Sequence, residues 1–249
     1  NVLCAKTLDD QEEVASAIRK YGLVAMPIID HENCLVGIVT VDDAMYVLQD
    51  ETTEDISIMA GVSPNEDSYF GTSVFRHAKN RTLWLMLLML SATVTGEILR
   101  HYEEAMSVMP VLITFIPMLM GTSGNCGSQS STMVIRGLAV GEIEFRDFLR
   151  VIFKEIRVAL VVGLLLAAVN GIRIYLMYNQ DIMLAFALGV TMIAVIVMAK
   201  CIGCTLPLLA KKIGVDPAIM AAPLISTIMD TCTILMYFTI ITAFFRLGG

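Results

Sequence analysis

A carboxylate stands alone in the middle of an apolar stretch, 217–245, that is long enough to cross a bilayer, and this narrows most what the chain can be. A helix needs about 20 mostly apolar residues to span the hydrocarbon core. An acid at that depth is costly, so it faces a bundle interior or a wet path and is a functional candidate by default. Helical spacing puts Ile219, Pro223, Ser226, Asp230, Thr233 and Tyr237 on one side, which sets the acid in a mostly polar stripe. The plainer alternative is a protonated Asp230 hydrogen-bonded to a neighbouring helix.

The rest of the composition supports a membrane protein with an aqueous front. Of 249 residues, 56% are hydrophobic and only 16% charged, and the mean hydropathy is +0.72, well above a soluble domain. Residues 1–81 hold 14 acids against 6 bases, while the remainder holds 10 against 11. Such an acidic front repels nucleic acid and attracts divalent cations. No signal peptide opens the chain, and its start on Asn1 reads as a chain lacking upstream residues. The six cysteines show no disulfide pattern, and Cys201 and Cys204, a C-x-x-C inside an apolar run, read as small packing residues.

In the front, acids at 9–13 lead into Val14, Ala17, Ile18 and Tyr21, the pattern of a short amphipathic helix. Residues 24–30 and 35–40 read as strands joined by a turn at 31–33, and Asp42-Asp43 opens a second helix. The run "LVGIVTVDDA" resembles one CBS module. Such modules work in pairs, so an ATP-type nucleotide cleft would need a second module that this sequence does not carry. Residues 49–55 hold four acids, the oxygen ligands that Mg²⁺ and Ca²⁺ prefer, although a solvated helix start explains the charge equally well. The domains are expected at 1–55, at 56–81 as a connecting helix, and at 82–249 as a membrane body.

Five spans are expected, at 82–99, 105–135, 156–178, 182–209 and 217–245. Lysine and arginine concentrate before the first, between the second and third, and between the fourth and fifth. That alternation puts the N-terminus in the cytosol and the C-terminus outside. In the second segment Pro110, Pro117 and the run 121–129 are expected to weaken a regular helix and free its carbonyls, with Asn125 and Gln129 on one face. A close helix contact made by small residues is the other reading. Glu155 is expected to pair with Arg157 or a neighbouring basic group, and Lys200 to snorkel towards the cytosolic interface. Asp216 before Pro217 makes a good N-cap for the fifth span, about 21 Å along a helix from Asp230.

The stretches "PMLMGTSGNCGSQSSTMVIRGLA", "KKIGVDPAIMAAPLISTIMDTCTILMYF" and "TTEDISIMAGV" together resemble the MgtE family of magnesium channels, over nearly the whole chain. The resemblance implies a mainly α fold: a homodimeric five-helix membrane domain preceded by a small α/β CBS-like module, in the plasma (inner) membrane. It implies a pore on the dimer axis, with Asp230 as the central site for hydrated Mg²⁺, Asp216 at the cytosolic mouth, and backbone near Ala222 and Ser226 along the path. Asn125, Gln129, Pro223 and Thr233 are expected to line or support it. It further implies a regulatory Mg²⁺ site using Asp43, Glu51, Glu54 and Asp55, with Tyr46 standing where an acid is expected. Mg²⁺ is then both cargo and regulator, and the partners are lipid, divalent cations and a second copy.

The residues alone agree in outline, since two twofold-related carboxylates balance one divalent cation. No phosphate loop, nucleophile–base pair or HExxH motif points to an enzyme. A transporter of Mn²⁺ or Co²⁺, with or without proton coupling, and a membrane-tethered sensor without transport are the competing readings.

Overall fold

The front of the chain folds as its changes of period require. In the computed structural model, which describes residues 3–65, 68–178 and 181–245, strand β1 (Ala5–Lys6) is followed by helix α1 (Gln11–Tyr21), β2 (Ala25–Ile29), β3 (Leu35–Thr40) and helix α2 (Val41–Met59). Asp10 caps α1 by accepting from the Glu12 N–H at 2.8 Å, and Gly22 ends it in the left-handed region at φ 62°, where a residue without Cβ is unstrained. β1 runs parallel to β2 across this helix, and β2 pairs antiparallel with β3. The tight turn between them is held by Asp30, whose Oδ1 accepts from the N–H groups of Glu32 and Cys34. Ala5, Val14, Ala15, Ile18, Met26 and Ala44 form the small core.

Thr40 and Asp43 cap α2 reciprocally. The Asp43 carboxylate accepts from the Thr40 N–H and hydroxyl, and the Asp43 N–H donates to that hydroxyl, a capping box. The acids at 50–55 therefore lie inside a continuous helix, not at a helix start.

The chain divides into two compact units, one of residues 1–57 with 64–67 and the other of 58–63 with 68–249. In the second, Gly61 at φ 69° lies so close to the Trp84 ring that a Cβ there would collide with it, and the Ser63 N–H donates to the Asn80 carbonyl. Trp84 is thus packed against the segment 58–63. No helix occupies 60–73 among the described residues, which corrects the expected connecting helix. Instead, Arg76, His77, Lys79 and Arg81 form the first turns of a single helix, α3 (Val74–His101), capped by Ser73. At 28 residues it is about 42 Å long.

A short helix α4 (Glu103–Val108) and a 3-10 turn (Pro110–Phe115) lead to α5 (Ile116–Ala139), α6 (Phe148–Met177), α7 (Ile182–Lys212), a second 3-10 turn (Pro217–Met220) and α8 (Ala222–Phe245). Both prolines of the second segment sit at helix starts, where a missing N–H costs nothing. Contrary to expectation, α5 then runs unbroken through Gly121–Gln129. α7 forms the centre: α5, α6 and α8 pack against it, and α3 lies along α8. Leu188, Ile196 and Ala199 of α7 are fully buried, in a core shared with Leu119, Ile225, Met229 and Phe238.

Glycine decides how closely the helices approach. A Cβ at Gly203 would run into the Gly127 carbonyl, and one at Gly127 would press on Ile225 and Met229. Among the described residues, three helices are long and apolar enough to cross a membrane, α3, α7 and α8. The expected uninterrupted fifth span is broken at Ala221, which is extended (φ −94°, ψ −166°).

Candidate ion site on α8 and the polar floor beneath α5

Asp230 sits midway along α8 and is half-buried. It makes no hydrogen bond or ion pair with any other described residue, so the protein leaves its carboxylate unanswered. A turn earlier, Ser226 lies where α8 meets α5: a Cβ on Gly124 would come within 3.4 Å of the Ser226 Oγ. Pro223 is half-buried, and its carbonyl accepts from Thr227 at 3.0 Å. Ala222 is exposed at the start of α8.

Asp216 is exposed and caps the 3-10 turn, accepting from the Ala218 N–H at 2.8 Å. The extended residue Ala221 then separates it from α8, so the two acids do not share one helix. Ser131 of α5 donates to the Met220 carbonyl at this break, tying the irregular backbone to a neighbouring helix.

Two residues of the expected polar stripe serve packing instead. Thr233 is buried and donates to Ser123 of α5 at 2.7 Å. Tyr237 is buried and donates to the Leu112 carbonyl at 2.9 Å. Both point into the bundle, because a buried hydroxyl must find an acceptor. Asn125 and Gln129, by contrast, are exposed on α5 and border a groove of about 1130 Å³ between α5 and α6.

The groove floor holds a cluster whose partners, Lys200 and Ser130, the sequence did not single out for Glu155. The Lys200 ammonium on α7 donates to Ser130 Oγ at 3.1 Å and lies 3.5 Å from Glu155 Oε2 on α6. Ser130 itself donates to the same carboxylate oxygen at 2.6 Å. Lys200 is therefore held within the bundle instead of snorkelling, and Glu155 pairs with a neighbouring basic group, Lys200, not with Arg157. A signal was present: a lysine in an apolar run needs a carboxylate at its own depth, and Glu155 opens the neighbouring span.

On α2 the four expected regulatory acids are spread along the helix. Asp43 is exposed, and its hydrogen bonds from the Thr40 hydroxyl and N–H hold it below the usual carboxylate range. Glu51 accepts from Gln11 at 2.9 Å, Glu54 is exposed, Asp55 half-buried, and Tyr46 points to solvent. Among the described residues no three acidic, histidine or cysteine groups are gathered to hold a metal.

A bundle of long apolar helices, preceded in the sequence by a small α/β module, defines the class as a multi-span membrane protein. Residues 116–240 match a family described as a divalent cation transporter, MgtE, and residues 1–50 match a CBS domain. The chain belongs to the MgtE family. It is 36% identical over 239 residues to a magnesium transporter MgtE of Thermus thermophilus, covering 96% of this chain and 53% of the relative. It is also 35% identical to one of Bacillus subtilis (98% and 53%) and 36% identical to one of Enterococcus faecalis (96% and 52%). The chain spans about half the length of the curated relatives it matches. Asn125, Gln129, Asp216, Ala222, Pro223, Ser226, Asp230 and Thr233 fall inside the family match.

Proposed function

We propose that this chain, as a homodimer, moves hydrated Mg²⁺ across the membrane down its electrochemical gradient, through a path centred on Asp230. One observation carries the reading: a half-buried carboxylate in a long apolar helix with no partner among the described residues. The family match and the magnesium transporters it resembles support it. All five long helices α3, α5, α6, α7 and α8 cross the bilayer, with the N-terminus cytosolic.

Mg²⁺ dehydrates reluctantly, so the path holds it through its waters. Two Asp230 carboxylates across a twofold axis supply the matching charge, and Ser226 and the backbone at Ala222 contact the hydration shell nearer the cytosol. Asp216 draws cations to that mouth. Asn125 and Gln129 supply amides on the facing helix, while Thr233 fixes α8 against α5. Cytosolic Mg²⁺ binding at the acids Asp43, Glu51, Glu54 and Asp55, which lie at separate points along α2, closes the path.

The test is Mg²⁺ flux into proteoliposomes. Asp230→Ala is expected to cut the rate by about tenfold or more, with Asp230→Glu partly active. An alanine variant that conducts like wild type removes the assignment. Repeating the measurement with Mn²⁺ and Co²⁺, and across pH at a fixed gradient, separates Mg²⁺ selectivity from a broader or proton-coupled transporter.

A further inference from the structure

We propose that the groove between α5 and α6 binds the headgroup of an anionic phospholipid. Three of its cations, Arg136 at the end of α5 and Arg150 and Lys154 one turn apart on α6, line it with side chains that make no ion pair or hydrogen bond to any described residue. Lys200, the fourth, is already neutralised by Glu155. Two further acids line it, Glu142 and Asp147, and the second has its carboxylate turned to the Glu144 N–H in a cap. The three unanswered cations therefore outnumber the acids beside them. Basic pockets between spanning helices at the cytosolic side suit anionic headgroups.

Shape favours a lipid over a soluble anion. The groove wall is partly apolar, with Met133, Ile143 and Val158. From Val158 the outer face of α6 continues through Val161 and Leu165, all exposed and aligned by helical spacing. A headgroup phosphate among Arg136, Arg150 and Lys154 leaves its acyl chains beside that track. Ser128 and Thr132 supply hydrogen-bonding groups to the glycerol and phosphate oxygens. The Ser130–Glu155–Lys200 cluster closes the floor and ties α5, α6 and α7 together there. The proposal rests on α5 and α6 spanning the membrane, not on Asp230 being the ion site.

Purified full chain is delipidated in detergent and titrated with phosphatidylglycerol or phosphatidylcholine, and bound lipid is counted by native mass spectrometry. Phosphatidylglycerol is expected to bind preferentially, and each of Arg136→Gln, Arg150→Gln and Lys154→Gln to weaken it about fivefold. Lys211→Gln with Lys212→Gln, basic residues outside the groove, leaves binding unchanged. Equal binding of the two lipids, or groove variants that bind like wild type, overturns the proposal. So does full displacement by soluble glycerol phosphate at equal concentration, which identifies a free-anion site. Protection of Arg150→Cys from thiol reagents in the lipid-free dimer overturns it as well, because a second copy then covers the groove. A circular dichroism melt confirms that each variant is folded, and Mg²⁺ flux read in parallel separates loss of lipid from loss of the ion path.

Discussion

Lys200, at 5% exposure, has its charge answered within the bundle by Glu155 and Ser130. Removing one partner of such a pair leaves the other buried and uncompensated, at about 3–5 kcal/mol, whereas removing both is close to neutral. Lys200→Met is therefore expected to destabilise the folded protein by about 3–5 kcal/mol, and Glu155→Leu added to it to restore most of the loss. Thermal unfolding in detergent measures both, and additive losses would show that the two charges act independently. Asp230 was legible in the sequence for the same reason that Lys200 was not fully read. A lone charge in an apolar run announces itself, but whether it has a partner depends on another helix, and no spacing within one helix reports that. The structure answers Lys200 and leaves Asp230 open.

At the level of elements, the glycine-rich part of α5 is where intuition from soluble helices misleads. Glycine lowers helix propensity in water, which suggested a broken segment, yet in a bundle small residues let backbones approach. Gly127 and Gly203 meet backbone to backbone, while Gly121 has open space around it. Gly203→Ala should cost about 1–3 kcal/mol through overpacking, and Gly121→Ala should be neutral or slightly stabilising. Melting temperatures of the two variants decide the matter; equal shifts would mean that propensity, not the crossing, governs α5. The front was easier to read, because strand, turn and helix signals in β2, β3 and α2 are local and end in recognisable caps. The break at Ala221 escaped notice because Pro217 suits the first turn of a long helix as well as it suits a 3-10 turn. The stretch 60–73 looked helical only because it joins two helices.

For the molecule as a whole, the proposed ion path asks for more charge than Asp230 of one chain supplies. Asp230 contributes a single negative charge, and among the described residues no group of three or more acidic, histidine or cysteine side chains gathers to hold a metal. Exposed apolar residues such as Leu83, Leu87 and Leu90 on α3 and Leu164 and Val169 on α6 face outward, as lipid or a second copy requires. If the pore lies on a twofold axis, both copies must supply the acid; if each chain conducts by itself, a defective neighbour is irrelevant. Mixing wild type with an equal amount of Asp230→Ala before dimers form separates these cases. A shared site in which both acids are needed leaves about a quarter of the Mg²⁺ flux, the fraction of dimers with two intact copies, whereas independent paths leave about half. Flux across a series of mixing ratios gives a curve that is quadratic in the wild-type fraction for the shared site. A straight line would place the ion path inside a single chain, and the second carboxylate would then have to be found elsewhere.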